Sequence, residues 1–183
     1  MQGQEKENNF SIPNMMSAFR ILLIPVFVLA YFLRPDAVWI SVMTLAISGL
    51  TDVVDGIIAR KFHMITQLGK VLDPVADKLT QATVCVCLTI SHPQLLILLV
   101  VLGIKELTMM CGGIYVLKTG HKPISAKWFG KLCICVLFGV FMLFLLFPNM
   151  GAGQMYGLIG VGVVFAAFSL IMYISEFFKI KKS

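Results

Sequence analysis

The stretch AVWISVMTLAISGLTDVVDGIIAR, residues 37–60, decides what kind of chain this is. From Ala37 to Thr51 it carries no charge, and then Asp52 and Asp55 arrive while the apolar pattern continues. A helix needs about 20 predominantly apolar residues to cross a bilayer, and this segment supplies them. Carboxylates inside such a segment are costly to hold and mark function more often than packing. Asp52, Asp55 and Ala59 stand at i, i+3 and i+7, which places them on one face of a helix.

Working outward, the same apolar character recurs. Spans are expected at about 12–33, 37–60, 68–90, 94–117, 125–147 and 156–178, separated by turn signals at Arg34-Pro35-Asp36, His92-Pro93, Gly120 to Pro123 and Pro148 to Gly153. Composition agrees: 58% of the 183 residues are hydrophobic and only 13% charged, where soluble chains sit near 25% charged. The expected fold is all-α, a polytopic membrane protein of six transmembrane helices forming a single domain over residues 1–183. Ahead of them a short N-terminal segment is expected to lie along the interface, Phe10 and Ile12 dipping in while Glu5 and Lys6 stay wet. No cleavable signal peptide is expected.

Charge placement orients the spans. One side receives Lys6, Arg60, Lys61, Lys118, Lys122, Lys127, Lys179, Lys181 and Lys182, and the other only Arg34. Lys and Arg collect on the cytoplasmic side, so both termini and the acidic cluster are expected there, in the cell membrane. The same bias accounts for the net charge of +6. Without interleaved aromatic and basic residues, nucleic acid is not an expected partner. The five cysteines lie inside apolar stretches and read as buried, reduced small hydrophobes. Two thiols at C-x-C spacing point to different sides of one helix, which argues against a metal site there.

Asp73 and Asp77, at i and i+4 on the third span, face the same way as each other, and a short loop joins that span to the second. Four carboxylates gathered at the ends of two antiparallel helices would repel one another unless something positive sat among them. Carboxylate oxygens suit Mg²⁺, Mn²⁺ or Ca²⁺, whereas His63, His92 and His121 fall in separate loops and make no zinc set. Gly56, Gly69 and Ala59 leave room for a ligand against the backbone, and Arg60 adds a cation suited to phosphate. A dinuclear site for a pyrophosphate is the expectation. Structural ion pairs with Arg60, Lys70 and Lys78 are the competing explanation, and they leave the glycines unexplained.

The run from Asp52 to Asp77 has the form D-x2-D-G-x2-A-R-x8-G-x3-D-x3-D. It resembles the signature of the CDP-alcohol phosphatidyltransferases at every fixed position. The resemblance implies transfer of a phosphatidyl group from CDP-diacylglycerol to an alcohol, with release of CMP. It implies that Asp52, Asp55, Asp73 and Asp77 hold two Mg²⁺ or Mn²⁺ ions, and that Asp52, Asp55, Gly56, Ala59, Arg60 and Gly69 meet the CDP moiety. It also gives Asp77 the role of general base on the acceptor hydroxyl.

Within the family, the opening from Ile12 to Arg20 and the run Leu72 to Lys78 are similar to the branch that uses glycerol 3-phosphate and to the related cardiolipin-forming branch. Asn14, Ser17 and Arg20 share a polar face, Asn14 and Ser17 toward the nucleotide and Arg20 toward the acceptor side. Lys105, Lys127 and Lys131 are the further candidates for an acceptor's phosphate. Lys105-Glu106 stands where that branch has Arg-Glu. Gly130-Lys131 fits its pattern, while Ile134 occupies the region of an expected threonine. The expected acceptor is glycerol 3-phosphate, with phosphatidylglycerol second and a divalent-cation transporter the distant alternative. Gly157, Gly160 and Gly162 suggest close helix packing or, as a second use, a homodimer.

Overall fold

The computed structural model describes residues 12–61, 69–118 and 128–182. Six α-helices make up nearly all of them: α1 (Ile12–Leu33), α2 (Val38–Lys61), α3 (Gly69–Ser91), α4 (Leu96–Lys118), α5 (Trp128–Leu146) and α6 (Ala152–Lys182). The expected interfacial segment, the loop holding His63, and the loop holding His121 and Lys127 lie outside the described residues. Two of the expected turn signals become single turns of 3₁₀ helix, Pro35–Ala37 and Pro93–Leu95, each with proline in its first turn, where the missing N–H costs nothing.

Among the described residues, five helices are long and apolar enough to cross a membrane: Asn14–Leu33, Val38–Ile58, Pro93–Ile114, Trp128–Leu146 and Ala152–Phe177. The third expected span differs. α3 has 23 residues, on the order of 34 Å of helix, so length is not what it lacks. Lys70, Asp73, Asp77 and Lys78 occupy its first ten residues, leaving an apolar stretch too short to qualify. The chain is an all-α polytopic membrane protein, and the helix that departs from uniform apolarity is one that carries half of the acidic cluster.

The residues fall into two compact units, one ending at Cys87 and the other beginning at Leu88. In the first, α1 packs along α2. Phe27, Ala30, Val42, Leu45, Ala76 and Val84 are buried, while Leu22, Leu29, Trp39, Met43 and Leu50 stand exposed. Such an outward array of large apolar side chains suits lipid, where only the backbone groups must be satisfied internally.

In the second unit, α6 packs on both α4 and α5. The seam is made by apolar fit: Phe129 meets Tyr173 edge-on with ring centroids 4.7 Å apart, and Gly162 admits Leu98, whose methyls would lie 3.1 Å from an added Cβ. Gly130 gives way to the Tyr173 hydroxyl, and Gly112 to the Phe177 ring. Gly157 and Gly160 have nothing within 4 Å of an added Cβ, so of the glycines at 157, 160 and 162 Gly162 alone serves close packing among the described residues. The cysteines also divide. Cys85, Cys87 and Cys133 are buried as expected, but Cys111 and Cys135 are exposed, because α4 and α5 each leave a side uncovered; none forms a disulfide.

Candidate active site

The site of the first unit is built around a side chain that the sequence pattern alone gave to the acceptor. Arg20, from the middle of α1, is 1% exposed, and its guanidinium reaches all four aspartates. Nη1 lies 2.5 Å from Asp52 Oδ1 and 3.6 Å from Asp77 Oδ1; Nη2 lies 2.8 Å from Asp55 Oδ2 and 3.3 Å from Asp73 Oδ1. α2 contributes one pair of carboxylates and α3 the other, each pair brought to one face by its helical spacing. Ser17, one turn before Arg20, donates its hydroxyl to Asp73 Oδ1. Asn14, a further turn back, is buried on the same face. The i, i+3, i+6 polar stripe of α1 thus turns inward, and it joins α1 to α3 by side chains.

The carboxylates are not equivalent. Asp55 is 1% exposed and forms the floor, whereas Asp52, Asp73 and Asp77 have side chains 41%, 39% and 38% exposed and form an open rim. Among the described ion pairs, one guanidinium faces four carboxylates at the ends of apolar helices. Like charges so close raise each other's energy steeply in a low-dielectric setting. The arrangement therefore attracts cations through its rim. Carboxylate oxygens are the donors that hard divalent ions such as Mg²⁺ or Mn²⁺ prefer, rather than zinc, although no three potential ligands among the described residues stand in a ready-made metal cluster.

Gly69 is buried at the start of α3, and Gly56 follows Asp55 on α2. The side chains of Ala59 and Arg60 lie outside the described residues, as does Lys127. Lys131 is exposed on α5. Lys105 belongs to the second unit, where it is 4% exposed and donates from Nζ to Glu106 Oε1 at 2.6 Å. A buried ammonium needs such a partner, and Glu106, the next residue, supplies it.

Pattern reasoning did not anticipate the small cavity of about 10 Å³ beneath Arg20, lined in part by Thr44, Ser48, Thr80 and Thr83. Arg20 Nε is buried without a hydrogen-bond partner among the described residues. The hydroxyl residues recur at i and i+4 on α2, a spacing that could have flagged them.

Helices and site together define a class: an integral membrane protein that gathers carboxylates around a cation at the ends of its helices. The family pattern described as CDP-alcohol phosphatidyltransferase matches residues 10–174, across both units, and the chain belongs to that family; it is a transferase. It is 32% identical over 127 residues to the CDP-diacylglycerol–glycerol-3-phosphate 3-phosphatidyltransferase of Haemophilus influenzae, covering 67% of this chain and 68% of that one. The enzyme of the same name from Salmonella paratyphi A is 40% identical over 81 residues, 44% of each chain. The CMP-forming cardiolipin synthase of Streptomyces coelicolor is 32% identical over 170 residues, 89% of this chain and 77% of that one.

Proposed function

We propose that this chain transfers the phosphatidyl group of CDP-diacylglycerol to glycerol 3-phosphate, giving phosphatidylglycerophosphate and CMP. The observation that carries the reading is the convergence of Asp52, Asp55, Asp73 and Asp77 on the guanidinium of Arg20. Two Mg²⁺ or Mn²⁺ ions held by these four residues would supply charge stabilisation for the attacking and leaving oxygens. Asn14, Ser17, Gly56, Ala59, Arg60 and Gly69 bind the CDP moiety. Asp77, on the open rim, takes the proton of the acceptor hydroxyl; the acceptor oxygen then bonds to the phosphorus nearest the lipid as the bond to CMP breaks.

Lys105 binds the acceptor's own phosphate, with Lys127 and Lys131 adding positive charge. Reaction on the cytoplasmic face, with both termini there, follows from the distribution of Lys and Arg. A homodimer belongs to the same proposal, with the open faces of Gly157 and Gly160 available to a second copy. Cross-linking of purified protein at a Gly157→Cys position checks it.

Phosphatidylglycerol as acceptor is the second reading, favoured by the long match to the Streptomyces coelicolor protein. The two separate in one experiment, with the detergent-purified protein, CDP-diacylglycerol, Mg²⁺ and each acceptor in its own reaction. The account expects phosphatidylglycerophosphate from glycerol 3-phosphate and nothing from phosphatidylglycerol. The reverse pattern transfers the chain to the cardiolipin-forming reaction and removes the phosphate assigned to Lys105.

A further inference from the structure

Arg20 occupies the centre of the carboxylates, and that position has a consequence for the ions themselves. Its guanidinium is buried, reaches a carboxylate of every member of the set, and is positively charged, as an entering ion would be. We infer that Arg20 is a built-in competitor for the divalent ions: it holds the four aspartates together when metal is absent, weakens metal binding, and so makes tight metal binding depend on an anionic nucleotide. The inference rests on the proposal that the four aspartates bind metal, and it adds a residue that tunes that site.

Two divalent ions carry as much positive charge as the four carboxylates carry negative, and Arg20, seated among them, adds more. An incoming pyrophosphate offsets that added charge. Metal and nucleotide then favour each other's binding, by the same factor in either direction. The fork of the guanidinium is what allows one side chain to engage two carboxylates through each terminal nitrogen. Nε, buried and without a partner among the described residues, faces no carboxylate, so Arg20 binds this cluster less completely than an arginine that uses every donor. A competitor held through part of its donor set can yield oxygens to an ion without leaving its seat.

The test is Mn²⁺ binding, followed by the loss of the free-ion electron paramagnetic resonance signal, in an uncharged maltoside detergent. Arg20→Gln is expected to bind Mn²⁺ at least about fivefold more tightly than the unaltered protein when no nucleotide is present. CDP-diacylglycerol is expected to tighten Mn²⁺ binding to the unaltered protein, and to do so less in Arg20→Gln. Arg20→Lys, which keeps the charge but not the fork, is expected between the two, and it carries the test if Arg20→Gln does not fold. Thermal unfolding adds a second readout: Arg20→Gln should lose stability in EDTA and regain it with Mn²⁺, whereas a merely structural arginine would cost the same in both. Unchanged or weaker Mn²⁺ binding in these variants overturns the inference and leaves the proposed function standing. Absence of Mn²⁺ binding by the unaltered protein even with CDP-diacylglycerol present overturns the metal reading itself.

Discussion

Among the described residues each unit buries one basic side chain, and the two are treated differently. Arg20 of the first faces four carboxylates, while Lys105 of the second faces one, its neighbour Glu106, at 2.6 Å. The second is a one-to-one pair of opposite charges. The first gathers four carboxylates on one described guanidinium, a concentration of acid that favours the binding of further cations. Buried charge alone does not locate chemistry in a membrane protein; the concentration of acid does. The packing follows the same division. α3 is joined to α1 by Ser17 and Arg20 on Asp73, whereas α6 is fitted to α4 and α5 through Gly162, Gly112, Gly130 and the aromatic rings.

The difference is broken most severely at Asp77. Asp77→Asn should lower turnover roughly 10²- to 10⁴-fold, the range of a lost general base, with CDP-diacylglycerol binding largely retained. Equilibrium binding beside CMP release checks both halves, and undiminished turnover removes Asp77 from the role. Lys105→Ala comes next. Losing one charge-assisted contact should raise KM for glycerol 3-phosphate by about tenfold or more, with KM for CDP-diacylglycerol unchanged. A rise in both constants would make the Lys105–Glu106 pair structural.

Smaller effects test the apolar seam. Gly130→Ala places a methyl 2.5 Å from the Tyr173 hydroxyl and should cost about 1–3 kcal/mol in detergent unfolding. Tyr173→Phe in the same chain should recover part of that cost; no recovery would locate the strain elsewhere. Gly160→Ala, with open space around it, should stay within about 0.5 kcal/mol of the parent.

Much of this was legible before any coordinates. α1 ends where its apolar run does, because Arg34, Pro35 and Asp36 follow Leu33. The spacing of Asp52 with Asp55, and of Asp73 with Asp77, assigned each pair a face, since helical periodicity is a local property. What periodicity cannot supply is the partner that a face meets. The stripe Asn14, Ser17, Arg20 was visible, but its destination depends on how α1 crosses α2 and on where α3 sits. Arg20 therefore read as an acceptor contact, and its meeting with all four aspartates was not foreseen. The α6 glycines repeat the lesson: three read alike in sequence, and one meets a neighbour. The polar start of α3 was legible as chemistry, yet its bearing on the span was not, because charges that serve a site also shorten the apolar stretch.

The most direct test of the central claim is the metal dependence of CMP release from CDP-diacylglycerol in the presence of glycerol 3-phosphate. The unaltered protein should release CMP with Mg²⁺ or Mn²⁺, fall silent in EDTA, and recover when the ion is returned. Asp73→Asn should remain silent at every metal concentration that supports the parent. Release that persists in EDTA, or that survives in Asp73→Asn, would contradict the account, because the gathered carboxylates would then have no part in the reaction.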